Sequence, residues 1–374
     1  MKNVLLKKPR DCYIILTANC NMRCRHCYGE YGITLPEKEL DGKEWDKIIT
    51  ELAKQEIFFL NISGGEPTMH PDFAMIIDSL IKNKMLFLLT TNGLFPKKYL
   101  EKIKEAKDYC LGIKISLDGP DWESHGYLRR NLIGESNKSI FDTTLNTIKQ
   151  LNEFGLPITI ATCLHKENIQ KMQEMKDFIL SIKPKSWYIA TISLSGTAND
   201  NTDLFVSESL LETSFWEKLK QDCEKQNIEV AFVDMPSLVK SNKNRDIYFN
   251  CPATRSFCEI YSDGTVSPCP LARVHIPEWL IKKENIKDKG LIKIWRGNAF
   301  KKFRDLQHLG CEGCKARGKC DRCIPQSIQW FNDPKTPPPY CIQNAKSLRL
   351  KNPDRLTQML VEKMNETNRK DYLK

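Results

Sequence analysis

No apolar run in this chain approaches the roughly 18 consecutive residues that a membrane-spanning helix needs, so no membrane partner is expected. A secretory signal is missing too, because Lys7, Lys8, Arg10 and Asp11 cut the N-terminal apolar stretches before a signal-peptide core could form. Low-complexity tracts are absent. The basic residues give a formal net charge of +10, yet they are dispersed, with no arginine-rich stripe and no basic run interleaved with aromatics. Nucleic acid is therefore not an expected partner, and solvated helix faces account for the lysines. Only about a dozen residues precede the first strand-like run, which leaves no room there for a recognition domain. A cytoplasmic protein is expected, and in a reducing cytosol clustered cysteines read as metal sites and not as disulfides.

Cysteine is the residue in excess, with fifteen in 374 residues. In Cys20-Asn-Met-Arg-Cys24-Arg-His-Cys27 three thiolates stand close together with no fourth nearby. Structural zinc is four-coordinate and closed, so the triplet fits zinc less well than a 4Fe-4S cube with one iron left open. His26 lies between two of the cysteines, where a short loop gives its ring little freedom to reach the same ion. A Gly64-Gly65-Glu66-Pro67 loop follows the apolar run 57–62.

Apolar or β-branched runs at 13–16, 57–62, 85–89, 111–117, 158–162 and 187–192 alternate with amphipathic stretches at 43–55, 72–82, 97–107, 140–154 and 168–181. Six β-α units in series predict a parallel sheet, an α/β partial (β/α)6 barrel of TIM type with its chemistry at the strand C-terminal ends. The loops holding Cys20 to Cys27, Gly64 to Pro67, Thr91-Asn92 and Ser116 to Gly119 then open on one face. The chain divides into a core at 1–234, a polar linker at 235–250, a cysteine-rich domain at 251–345 and a polar C-terminal helix or tail at 346–374. In the third of these, Cys251-x6-Cys258 precedes a hairpin with Asp263-Gly264 at its turn, which delivers Cys269. Cys311-x2-Cys314-x5-Cys320-x2-Cys323 and Cys341 follow, enough thiols for two four-thiolate sites, of zinc or of iron and sulfur. The apolar residues of 290–309 have helical spacing and are expected to pack this domain.

The CxxxCxxC loop with the GGEP loop resembles the radical S-adenosylmethionine (SAM) enzymes, and the C-terminal array resembles the SPASM domain. The resemblance implies that Cys20, Cys24 and Cys27 carry a 4Fe-4S cluster whose open iron chelates SAM, with Gly64, Gly65 and Glu66 at the SAM amino group. Asn92 is a further candidate contact. Ser116 and Asp118 match the family's ribose positions, and Arg129 or Arg130 its carboxylate clamp. It implies two auxiliary 4Fe-4S clusters, one on Cys251, Cys258, Cys269 and Cys323 and one on Cys311, Cys314, Cys320 and Cys341. The family usually has three residues where only Asp321 and Arg322 separate Cys320 from Cys323. Three oxidised cubes on these cysteinates would bring the net charge to about +5. Cys12, Cys110 and Cys163 border apolar runs and are expected in the core; Cys223 is left unassigned.

The activity so implied is one-electron reductive cleavage of SAM, supplied by a donor such as flavodoxin or ferredoxin, to a 5'-deoxyadenosyl radical that takes a hydrogen atom from substrate. Most SPASM enzymes act on a peptide or protein. The resemblance thus implies a peptide maturase making a two-electron oxidation such as a thioether or carbon-carbon cross-link, with leader-peptide capture by the barrel or a separate protein. Sulfatase maturation ranks second, since Pro270 stands where those enzymes carry an aspartate. Dehydrogenation or epimerisation of a small molecule ranks third.

Overall fold

Apolar spacing of three and four residues makes the segments between strands into helices, and alternation makes the runs themselves strands. The structure is a computed structural model and describes residues 6–33, 35–94, 96–130, 134–206, 210, 212–233, 251–307, 309, 312–314, 322–343 and 345–366. The expected linker, Cys311 and Cys320 lie outside the described residues. In chain order the core elements are β1 (Asp11–Ile15), α1 (Gly42–Lys54), β2 (Phe59–Ser63), α2 (Phe73–Lys82), β3 (Leu86–Thr91), α3 (Lys97–Glu105), β4 (Cys110–Ser116), α4 (Trp122–Leu128), α5 (Asn137–Glu153), β5 (Ile158–Leu164), α6 (Met172–Ile182), β6 (Ser186–Thr191), α7 (Thr213–Glu224) and β7 (Glu229–Val233). Helix α1 shows the logic. Trp45, Ile48, Ile49 and Leu52 are buried along one face, and Asp41 and Glu44 close a reciprocal capping box at its start.

Strands β1 to β7 lie in sequence order, and each pair from β2–β3 to β6–β7 is parallel. Parallel neighbours place the C-terminal ends of β2 to β7 at one edge of the sheet. Leu60, Phe87, Ile113, Ile115, Ile160, Trp187 and Ile189 are buried on the core side. All six expected strands are present. The sheet also has a seventh, β7, where the apolar Ala231 at an exposed position blurs the alternation in the sequence. The short α4, interrupted by Gly126, carries no apolar period that the sequence could reveal.

The chain divides into two compact units, Ile14–Arg245 and a second that joins Met1–Tyr13 to Asp246–Lys374. Residues before β1 belong to the second unit because Trp295 Nε1 donates to Leu6 O (2.9 Å), Arg296 Nε to Lys7 O (2.9 Å) and Arg10 N to Ser256 O (2.6 Å). Here β8 (Phe257–Ile260) and β9 (Thr265–Ser267) form the hairpin turned by Asp263-Gly264, with Gly264 at φ 88, and β10 (Glu284–Asn285) pairs β9. Leu291, Ile294, Trp295, Phe300, Phe303 and Leu306 are buried, on helices Leu291–Arg296 and Asn298–Leu306. No helix among the described residues is long and apolar enough to cross a membrane.

Candidate active site

The loop after β1 and the loop after β2 are laced together. Gly65 N donates to Thr17 O (2.8 Å) and Glu66 N to Asn19 O (2.9 Å). A Cβ on Gly65 would sit 2.2 Å from Asn19 O, and one on Gly64 2.5 Å from Thr17 O. Both glycines are thus needed for one backbone to reach the other, a role that precedes any contact with a ligand. Glu39 locks the same turn, accepting from Thr17 Oγ1 and Ala18 N at 2.6 Å each.

The Glu66 carboxylate is fully buried and accepts from Thr68 Oγ1 (2.8 Å), Thr91 Oγ1 (2.9 Å) and Asn92 N (2.8 Å). It therefore staples the loops after β2 and β3. Burial raises its pKa, and these donors oppose that rise. The Asn92 side chain donates to Asn21 Oδ1 (2.8 Å), inside the cysteine loop, and accepts from Leu94 N (2.8 Å). Three site loops are thereby one hydrogen-bonded body.

Cys20, Cys24 and Cys27 are all half-buried. Cys20 and Cys24 pack against Met22, Leu94 and Ile140. Burial, and then the neighbouring Cys24, pushes the Cys20 thiol up; burial pushes Cys24 to about 12, against the opposing pull of Arg129. Burial disfavours the bare thiolates here, and cationic iron bound to the sulfurs would offset that cost by displacing their protons, which is the donor chemistry an iron cluster requires. Among the described residues no three His, Cys, Asp or Glu side chains gather closely enough for a single ion; in a cube each thiolate takes its own iron. The loop is braced from outside: Thr197 Oγ1 donates to Cys24 O (2.9 Å) and Thr197 N to Cys27 O (2.9 Å), while Arg23 N and Arg25 N reach Arg130 O and Leu128 O.

After β4, Ser116 is half-exposed and Asp118 fully buried. Asp118 Oδ2 accepts from Arg129 Nε (2.6 Å) and Oδ1 from Cys163 N (2.8 Å). Burial alone would raise this carboxyl, but the Arg129 guanidinium holds it near about 2. Arg129 Nη1 also lies 4.0 Å from Cys24 Sγ. The arginine expected to clamp a SAM carboxylate thus already holds one anion and faces a cluster thiol. Cys163, at the end of β5, is pushed up to about 12 by burial and by Asp118.

Three histidines surround this pair; the sequence drew notice only to His26, as a poorly placed fourth ligand, and not to His125 or His165. His125 Nδ1 accepts from Asp118 N (3.2 Å) and His165 Nδ1 from Glu167 N (3.3 Å); His125 Nε2, His165 Nε2 and His26 Nδ1 are buried without a partner. Burial first, then Arg129, lowers His125 to about 4. An unfolded chain takes up that proton near 6.5 while the folded one resists to about 4, so acidification favours unfolding throughout that window. Between pH 7 and pH 5, His125 alone removes about 2 kcal/mol. Urea unfolding of wild type and His125→Gln at both pH values checks this: the variant's loss should be smaller by that amount.

In the second unit, Cys251 and Cys269 pack on one apolar cluster formed by Ala253, Ala272, Ile276, Phe303 and Ile324 among others, and Cys251 and Cys323 are the charge neighbours of Cys269. Arg322 fixes the approach to Cys323 by donating to Leu306 O (3.2 Å), Thr336 O (2.8 Å) and Pro334 O. Cys314 and Cys341 share a second cluster. Cys258 stands apart. Its neighbour Phe257 packs with Cys251 and Cys269, so strand alternation turns Cys258 the other way, and its Sγ lies 3.9 Å from Cys12 Sγ. Pro270 opens helix Pro270–His275, capped by Cys269.

Residues 14–179 match the radical SAM superfamily and residues 251–324 the iron-sulfur cluster-binding domain SPASM. The chain thus carries a radical SAM domain and a SPASM domain, and is an enzyme. It is 24% identical over 351 residues to the AdoMet-dependent heme synthase of Methanosarcina barkeri, covering 87% of this chain and 94% of that one. To the PqqA peptide cyclase of Ruegeria pomeroyi it is 24% identical over 347 residues, covering 87% and 85%. Its fold is that of Streptococcus suis SuiB bound to S-adenosylmethionine, with a TM-score of 0.72 at 20% identity over 89% of this chain and 77% of that one.

Proposed function

We propose that this protein is a radical SAM oxidoreductase that modifies a peptide by a net two-electron oxidation, such as a thioether or carbon-carbon cross-link. The observation that carries the radical part is the lacing of the cysteine loop to the Gly-Gly-Glu loop, with Glu66 binding both to Asn92. When bound, the cluster and SAM supply reductive cleavage and a primary carbon radical able to remove an unactivated hydrogen. Cys20, Cys24 and Cys27 are the thiolates for that cluster. Ser116, half-exposed at the end of β4, is left to meet the ribose; Asp118 orients Arg129 toward the cluster side. The glycines and Glu66 act by holding the loops at fixed separation.

The peptide reading rests on the similarity to a peptide cyclase over 85% of its length. Pro270, without a carboxylate, argues against sulfatase maturation. A one-electron donor of the flavodoxin or ferredoxin kind and a separate leader-binding protein complete the proposal. A small-molecule substrate is the second reading, favoured by the equal similarity to a heme synthase. Incubating the reduced enzyme and SAM with short peptides encoded beside its gene, and with iron porphyrins in parallel, separates the two by mass spectrometry. Loss of two hydrogens from a peptide is expected; change in the porphyrin alone would select the second reading.

For the auxiliary clusters, the placement of side chains supports Cys251, Cys269 and Cys323 as one set and Cys314 and Cys341 in the other. Cys258 belongs with Cys12. Cys269→Ala should then lose about four irons per chain while Cys258→Ala keeps them. Equal loss in a colorimetric iron assay would return Cys258 to the ligand set.

A further inference from the structure

Strand β4 carries one cation on the face it turns away from its buried isoleucines. Ile113 and Ile115 are fully buried, while Lys114 and Ser116 alternate with them and are half-exposed. The same face of β5 and β6 presents Thr159, Ala161, Cys163, Ser186, Tyr188 and Ala190, all half-exposed and mostly small. In register, Lys114 lies between Thr90 of β3 and Thr159 of β5. Its Nζ stands 4.2 Å from the centroid of the Tyr188 ring. Among the described residues no carboxylate pairs with it; burial lowers its hold on its proton, and no anion restores it.

An ammonium withdrawn from water without a counter-ion is costly, and an aromatic face offsets only part of that cost. Among the described residues of this unit the two cations with buried side chains are both matched, Arg129 by Asp118 and Lys176 by Asp222. Lys114 also sits two residues before Ser116, about 7 Å from it toward the strand N-terminal ends. That is away from the loops carrying the cysteines, Gly64 and Glu66, and thus on the side left for substrate.

We propose that Lys114, backed by the Tyr188 ring, anchors a carboxylate of the substrate; on the peptide reading above, on which this identification of the substrate rests, that group is an Asp or Glu side chain or a C-terminus. The cofactor's own carboxylate has the same chemistry, so the test separates the two sources. Anaerobic holoenzyme loaded with SAM is exposed to a terminally blocked, otherwise uncharged decapeptide library carrying Glu, Gln or Lys at one guest position, and retained peptides are counted by mass spectrometry. In parallel, 3-phenylpropanoate and its amide are compared by ligand-observed NMR, and SAM affinity is measured by equilibrium dialysis.

Wild type should retain Glu over Gln about tenfold, as a charge-assisted contact provides. Lys114→Met should abolish that preference and Lys114→Arg restore it, with iron content and thermal unfolding confirming that each variant is intact. If no peptide is retained but 3-phenylpropanoate is preferred in a Lys114-dependent way, the peptide reading fails and the anchor stands. An unchanged Glu-to-Gln ratio in Lys114→Met, or no carboxylate preference by wild type in either arm, overturns the anchor. So does weakened SAM binding in Lys114→Met with the peptide preference intact, which would give the cation to the cofactor.

Discussion

Holoprotein in which Cys20, Cys24 and Cys27 are all alanine should yield no 5'-deoxyadenosine from SAM above an enzyme-free control, while keeping the iron of its C-terminal unit. The expectation follows from the separation of the thiols. The three lie on one loop, half-buried against Met22, Leu94 and Ile140, and the remaining ligand candidates stand on a different compact unit. Only an iron with a free position can take the amino and carboxylate groups of SAM, so auxiliary iron offers no substitute. Liquid chromatography of quenched reactions measures the nucleoside, and an iron assay on the same sample shows what is retained. Cleavage at the wild-type rate would show that the triplet is not the SAM site.

Asp118→Ala should destabilise the barrel unit by about 3–5 kcal/mol, the cost of leaving one member of a buried ion pair alone. Arg129 would remain buried without its 2.6 Å partner, and Cys163 N would lose its acceptor. The effect has a characteristic pH dependence. Because the folded-state value lies at about 2, below the ordinary 3.8, the stabilisation is fully present above about pH 4 and disappears as the pH falls toward 2. Urea unfolding at pH 7 checks the magnitude; a difference below about 1 kcal/mol would mean that Arg129 finds another anion.

The cysteine triplet, the Gly-Gly-Glu loop and six strands were legible because they depend on short-range spacing and alternation. What Glu66 does was not, since its partners Thr91 and Asn92 come from the next strand end and nothing local marks them. His125 and His165 escaped for a related reason. Each lies at a polar position after a strand or in a seven-residue helix, and only the return of the chain around Asp118 gives it meaning. Cys258 is more instructive. Its identity suggested a ligand, whereas strand parity relative to Phe257 decides which way it points. The attachment of the N-terminal residues to the second unit rests on Trp295 and Arg296, some 290 positions away, and has no signature in composition.

The most direct test of the account uses a peptide found to be modified, prepared with its carbon-bound hydrogens replaced by deuterium. Reduced enzyme and SAM are supplied, and the mass of the 5'-deoxyadenosine released is read. Transfer of deuterium from the peptide into 5'-deoxyadenosine is the predicted result. Unlabelled 5'-deoxyadenosine accompanying a modified peptide would contradict hydrogen abstraction from the peptide, and with it the central claim.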